Sequence, residues 1–245
     1  MCGAQKAGTT ALAGYLRQHP QLFLPAEKEL HHFDDERLNW GSGPWARRKR
    51  IRRYHQAFGS APAGSLWGEA TPIYMYWEAA AARIWQYNPA MQIIVILRNP
   101  IERAYSHWAM ERGRGADTLS FEQALAREAT RCRTALPLQH RLYSYVDRGL
   151  YSAQLRRLWR FFGTEAVLVL RQEELREKPQ ACLDRICTHL GVSALSNVAA
   201  IEEHVGQYGE PLAASTKLQL RAYFAAEIRQ LEAMLGWDCS AWLEG

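Results

Sequence analysis

Gly3-Ala4-Gln5-Lys6-Ala7-Gly8-Thr9-Thr10 stands near the start of the chain. A glycine, four residues, a second glycine and two hydroxyl residues running into an apolar segment make the frame of a phosphate-cradling loop. The nucleoside-triphosphate version of that loop places lysine directly after the second glycine. Here that place is Thr9, and the lysine lies inside the loop as Lys6. The frame keeps an anion cradle but alters the lysine and magnesium arrangement of an ATPase. A helix predicted from Thr10 to Gln18 would turn the N–H groups of Gly8, Thr9 and Thr10 towards a phosphate. A plain glycine turn before a helix has the same spacing, so the loop alone does not decide the matter.

Further along, Gln92-Ile-Ile-Val-Ile-Leu97 is a continuous apolar run bounded by polar residues, the pattern of a parallel strand covered on both faces. Ala166–Leu170 reads as a second strand and Ser65–Gly68 as a weaker third. Helical spacing is readable at Thr10–Gln18, Ile73–Tyr87, Pro100–Gly113, Ser120–Arg133, Ser152–Phe162, Pro179–Leu190 and Ser215–Leu235. Strands alternating with helices predict an α/β fold around a parallel sheet. Ligands of such sheets gather at the carboxyl ends of the strands. The phosphate loop, Glu69 and Arg98 would then share one edge.

The composition, 48% hydrophobic and 22% charged, is that of a globular chain, and 245 residues are enough for one sizeable core. No segment approaches the roughly 20 apolar residues of a membrane span, and no leader pattern is present, so neither a membrane nor a secretory route is expected. Five cysteines without metal-type spacing predict no metal centre and a reducing, cytoplasmic setting. A net charge of +5 favours anionic ligands but is too weak to point to nucleic acid, and no nucleic-acid motif is present. A phosphate loop normally follows a buried strand, yet only Met1 and Cys2 precede Gly3. The expectation is one domain over 1–245 whose first strand is cut short before Gly3.

Taken together, these residues resemble the sulfotransferases that use 3′-phosphoadenosine 5′-phosphosulfate (PAPS), on the branch holding heparan-sulfate-type and related bacterial enzymes. Gly3–Leu12 is similar to the 5′-phosphosulfate loop, and Ile96-Leu-Arg98-Asn-Pro-Ile-Glu-Arg-Ala-Tyr-Ser106 to the 3′-phosphate motif. Glu27-Lys-Glu29-Leu-His-His-Phe33, Gly68-Glu-Ala-Thr-Pro72, Arg148-Gly-Leu-Tyr151 and Trp159-Arg-Phe-Phe162 fall in family order. The resemblance runs from Gly3 to about Val192. It implies a P-loop-like three-layer sandwich, a central parallel sheet flanked by helices.

By this resemblance, Lys6, Ala7, Gly8, Thr9 and Thr10 cradle the 5′-phosphosulfate, and Arg98 and Ser106 hold the 3′-phosphate. Tyr151 lies near the adenine or the 3′-phosphate. Lys6 would stabilise charge building on the leaving phosphate during in-line transfer to a hydroxyl or amine of a sugar or small-molecule acceptor. Glu29 takes the place of the catalytic base, with Glu27, His31 and His32 as rivals. Partial burial would raise the pKa of Glu29 and Lys6 would oppose that. Glu69 would orient the acceptor or support the site. No metal is required by this scheme, and oligomeric state stays open.

Two departures bear on the acceptor. Glycosaminoglycan enzymes often carry lysine where Ala70 stands, and a basic, glycine-containing loop where Glu202–Pro211 has no lysine–arginine cluster. Arg47-Arg-Lys-Arg-Ile-Arg-Arg53 reads as the solvated face of a helix, or alternatively as a polyanion groove. The aromatics Trp40, Trp45, Trp67, Tyr74, Tyr76 and Trp77 are candidates for core or for an acceptor pocket. A P-loop kinase using ATP and a non-catalytic nucleotide-binding protein remain as alternative readings of the same loop.

Overall fold

The computed structural model describes residues 1–38, 40–41, 43–195, 198–199, 201 and 211–244. In chain order the elements are α1 (Thr9–Leu16), β1 (Leu22–Phe23), α2 (Pro44–Gln56), β2 (Leu66–Trp67), α3 (Ile73–Tyr76), α4 (Glu78–Tyr87), β3 (Ile93–Leu97), α5 (Pro100–Gly113), α6 (Phe121–Arg133), α7 (Tyr151–Phe162), β4 (Val167–Arg171), α8 (Gln172–Glu177), α9 (Pro179–Leu190), α10 (Ala214–Leu235) and α11 (Ser240–Leu243).

All five residues of β3 are buried, as its unbroken apolar run requires. It pairs in parallel with β4, Ile93 opposite Val167 through Leu97 opposite Arg171. Its other edge takes the N-terminal residues: Gly3 bridges Val95 in parallel. Cys2 N–H donates to Ile94 O at 3.0 Å, Ile96 N–H to Gly3 O at 2.9 Å and Ala4 N–H to Ile96 O at 2.7 Å. Beyond them, Thr71 N–H donates to Met1 O at 3.1 Å, and β1 pairs in parallel with β2. The backbone order across the sheet is therefore 22–23, 66–71, 1–4, 93–97, 167–171. Residues 1–4, which the sequence reading treats as a cut-short strand, carry the strand line directly into the phosphate loop.

Helices cover this sheet. α7 packs on β4 and gathers α3, α4 and α10 around itself; α9 packs on β4 as well. Local chemistry starts the helices where the sequence places them. Asn99 caps α5 by accepting from Ile101 N–H at 3.0 Å, with Pro100 in its first turn. Ser120 and Gln123 close a capping box on α6. The expected helix Ile73–Tyr87 breaks into two at Trp77, whose ψ of 113° is extended. The buried Trp77 indole donates to Glu36 Oε1 at 2.7 Å, so a tertiary bond holds the break.

Candidate functional site

The loop after residues 1–4 turns sharply: Lys6 has φ 71° and Gly8 φ 88°, both left-handed. Gly8 precedes α1, and no side chain caps that helix. Its first-turn N–H groups therefore keep the anion-binding character of an uncapped helix start. Ala7 and Thr9 are buried and Thr10 is exposed. The loop has the donors an anionic phosphosulfate needs: amides, two hydroxyls and a lysine.

Arg98 leaves the end of β3 and reaches that loop. Its Nη1 donates to the Lys6 carbonyl at 3.4 Å, while Nε and Nη2 engage Glu102 at 3.1 and 2.9 Å. Tyr151, fully buried at the start of α7, donates its hydroxyl to the Arg98 carbonyl at 3.0 Å. Ser106 is buried on α5, two turns after Arg98. The structure thus brings Lys6, Arg98 and Tyr151 into one bonded group. Arg103, on α5, is fully buried. It donates to the Tyr145 carbonyl, and its Nε and Nη1 have no hydrogen-bond partner among the described residues.

Glu29 joins the same edge through its N–H, which donates to Ala70 O at 3.2 Å, beside the Thr71–Met1 bond. Its carboxylate takes a 2.8 Å bond from Lys28 Nζ and lies 3.6 Å from His31 Nε2. His31 Nδ1 donates to Asp34 at 3.0 Å, and Arg141 Nη1 donates to the same carboxylate at 2.6 Å. Burial alone would raise the Glu29 pKa, as the sequence suggests. The hydrogen bonds and charges of His31 and Lys28 outweigh it and take the carboxyl down to about 2. The carboxylates of Asp34 and Glu29 hold His31 up at about 9. Asp34 and Arg141 are site residues that sequence reasoning passes over. Asp34 had a signal, three residues after His31; Arg141 had none.

Backbone strain marks the same residues. Among the described residues, the non-glycine positions with left-handed φ are Lys6, Glu29 (65°) and His31 (51°). Such conformations cost energy and collect at functional sites.

Other candidates fall elsewhere. His32 is buried, stacked on Tyr54 at 4.6 Å, and its pKa is pushed down to about 4, first by burial and then by Arg50 and Arg53. Glu69 is a support. Its carboxylate accepts from Tyr54 and Thr71 hydroxyls at 2.7 Å each and from Tyr74 at 3.2 Å, and burial raises its pKa. The segment Glu202–Glu210, read for its missing basic cluster, lies outside the described residues.

A model of the sulfotransferase domain matches residues 1–207. The chain belongs to the sulfotransferase domain family. Among curated relatives of this sulfotransferase, mouse heparan sulfate glucosamine 3-O-sulfotransferase 6 is 31% identical over 193 residues, 78% of this chain and 51% of the relative. Human heparan sulfate glucosamine 3-O-sulfotransferase 3B1 is 28% identical over 196 residues, 79% of this chain and 45% of the relative. The chain spans about half the length of the curated relatives it matches. A crystal structure of a sulfotransferase from Alicyclobacillus acidocaldarius superposes with a TM-score of 0.82 and 31% identity, covering 99% of this chain and 96% of that one. A sulfotransferase domain from the curacin biosynthetic pathway shares the fold, with a TM-score of 0.55, 16% identity and coverage of 97% and 96%. The α/β fold expected from the sequence is the sulfotransferase fold.

Proposed function

We propose that this sulfotransferase takes its sulfuryl group from PAPS and delivers it to a hydroxyl or amine of a sugar or small-molecule acceptor. One observation carries the reading: the left-handed turn at Lys6 follows strand residues 1–4, with Arg98, from the end of the neighbouring β3, bonded to the Lys6 carbonyl, and Glu29 N–H bonded to Ala70 O on the other neighbouring line.

Lys6, Ala7, Gly8, Thr9 and Thr10 would hold the 5′-phosphosulfate end, and Arg98 and Ser106 the 3′-phosphate. Tyr151 fixes the backbone that carries Arg98. When bound, PAPS supplies the sulfuryl group and a phosphate leaving group. Lys6 places a cation where charge develops, which lowers the barrier. Glu29 accepts the acceptor proton as attack proceeds; its depressed pKa keeps it in the ionised form a base requires. His31 and Asp34 orient that carboxylate, and no metal ion enters the scheme. The five cysteines carry free thiols, which supports a cytoplasmic setting.

The test is calorimetric titration with adenosine 3′,5′-bisphosphate beside ATP, with and without EDTA. Metal-independent binding with clear preference over ATP is the expected result. A preference for ATP that needs Mg²⁺ would turn the reading to a kinase. Transfer of labelled sulfate from PAPS to a saccharide panel then separates an enzyme from a nucleotide-binding protein.

A further inference from the structure

Of the Arg148-Gly-Leu-Tyr151 segment, only Tyr151 has a part in the site so far. Arg148 stands in the turn before α7 and is buried. Its Nη1 donates to the side-chain oxygen of Gln5, inside the phosphate loop and next to Lys6. Its Nη2 donates to the carbonyls of Arg141 and, at 3.4 Å, His140, and its Nε to Ser144 Oγ at 2.8 Å. The turn that carries it is firmly held. The Glu128 carboxylate accepts from the N–H groups of Val146 and Asp147 at 2.9 Å each. Gly149 lets the turn press on α10, since a Cβ there would meet Phe224 Cζ at 2.7 Å.

From Arg141 the contacts continue to the proposed base. Arg141, whose carbonyl Arg148 holds, sends Nη1 to the Asp34 carboxylate at 2.6 Å and Nη2 to the Asp34 carbonyl. Its guanidinium carbon lies 4.4 Å from the centre of the Trp77 ring. Asp34 accepts from His31 at 3.0 Å, and His31 lies 3.6 Å from the Glu29 carboxylate. Gln5, Arg148, Arg141, Asp34, His31 and Glu29 therefore form one unbroken line. The left-handed backbone of Lys6 adjoins one end, and that of Glu29 and His31 makes the other. Strained conformations persist where their surroundings over-determine them, and this line supplies such surroundings at both ends.

The chemistry of the hub is unusual for a group kept only for stability. A buried guanidinium is costly to desolvate, and the usual remedy is a carboxylate. The acceptors of Arg148 are instead an amide oxygen, two backbone carbonyls and a hydroxyl, all uncharged. Burial takes its pKa down to about 10, which leaves it a cation at neutral pH. A planar fork of five N–H donors reaches acceptors on three sides at once, which a lysine ammonium on its flexible stem does not.

We propose that Arg148 is a positioning residue that couples the two halves of the site: through Gln5 it holds the donor loop, and through Arg141 and Asp34 it holds the His31–Glu29 pair, so that filling the donor loop sets the base. It rests on the sulfotransfer reading. The coupling is local and physical, a row of contacts whose members each have one bonded neighbour on either side, and it makes donor occupancy felt at Glu29 before any acceptor arrives.

The test is amide hydrogen exchange of the full chain, read by mass spectrometry without nucleotide and with saturating adenosine 3′,5′-bisphosphate, beside calorimetry. In the parent the bisphosphate should slow exchange at residues 3–10, 140–148 and 29–35. Gln5→Ala removes the acceptor in the loop. Without nucleotide it should speed exchange at 140–148 and 29–35 about ten-fold, the loss of one charge-assisted bond. With nucleotide it should bind the bisphosphate within about three-fold of the parent yet lose the slowing at 29–35, a split that general destabilisation does not produce. Arg148→Lys keeps the charge without the fork and should behave alike; if it fails to fold, Gln5→Ala carries the test. Gln18→Ala, whose amide bonds Ala199 just past α1, should match the parent in all three segments. Slowing at 29–35 that is absent from the parent, or that survives Gln5→Ala, would overturn the proposal. Failure of the bisphosphate to bind would instead sink the donor reading. The nucleotide-free arm then decides the link by itself: faster exchange at 29–35 in Gln5→Ala upholds it, and an unchanged rate overturns it.

Discussion

The Tyr151 hydroxyl donates to the carbonyl oxygen of Arg98 at 3.0 Å, from a fully buried ring. The helix that starts at Tyr151 thereby pins the strand end that aims the proposed 3′-phosphate arginine. Tyr151→Phe keeps the ring and leaves a carbonyl short of its donor. A stability loss of about 1–2 kcal/mol is expected. Affinity for adenosine 3′,5′-bisphosphate should fall several-fold with it. Urea unfolding and calorimetry read the two effects.

Replacing Glu29 by glutamine keeps the shape and removes the proton acceptor. Bisphosphate affinity should stay within about two-fold, while turnover falls by roughly 10²–10⁴, the usual contribution of a positioned base. Turnover near the parent level in a sulfate-transfer assay would take the base role from Glu29.

The Glu29–His31 pair sets a pH dependence of stability. Glu29 has its carboxyl depressed to about 2, so its contribution is present above its ordinary pKa near 4.5 and is lost as pH falls towards 2. His31 is raised to about 9, so its contribution is full below its ordinary 6.5 and is lost as pH climbs through 9. Both side chains are partly exposed, so salt screens the effect. Stability should be flat between about pH 5 and 6.5 and decline above it. His31→Gln should remove that alkaline decline, as read by denaturant midpoints across pH.

Gly8 holds φ 88° where the loop meets α1. A Cβ there would meet Gln172 Cγ at 3.5 Å, an ordinary contact, so space is not the difficulty. The backbone is: Gly8→Ala should cost about 1–2 kcal/mol. Relaxation of the strain would turn the first amides of α1, so bisphosphate binding should drop further than stability does. Comparing thermal unfolding with calorimetry separates the two.

Much of this was legible from residues alone because each signal is local. The Ile93–Leu97 run is apolar throughout because both its faces are covered. Pro100 after Asn99, and Ser120 before Gln123, announce helix starts through the bonds they make. The break at Trp77 was hidden because apolar spacing continues across it, while the bond that holds it comes from Glu36, 41 residues away. β1 has two residues, too few for any period to show. At the site, Lys6 and Arg98 stand in recognisable spacings. The Asp34–Arg141 pair joins positions 107 apart, so although Asp34 stands three residues after His31, nothing near Arg141 announces the pairing. For Glu29 the sequence sets burial against Lys6 and gives no net direction, because the groups that decide it are not visible in the spacing. Only geometry shows that Lys28 and His31 both reach the carboxylate.

Ala4 donates to Ile96 across the sheet at 2.7 Å, two residues before Lys6 on one strand line and two before Arg98 on the other. Neighbouring strands keep a separation of about 4.8 Å. The starting points of the Lys6 loop and of Arg98 are therefore spaced by the backbone lattice, not by side-chain length. If they hold the two phosphate ends of one nucleotide as proposed, the lattice acts as a caliper for the donor, independent of the loops on the acceptor side.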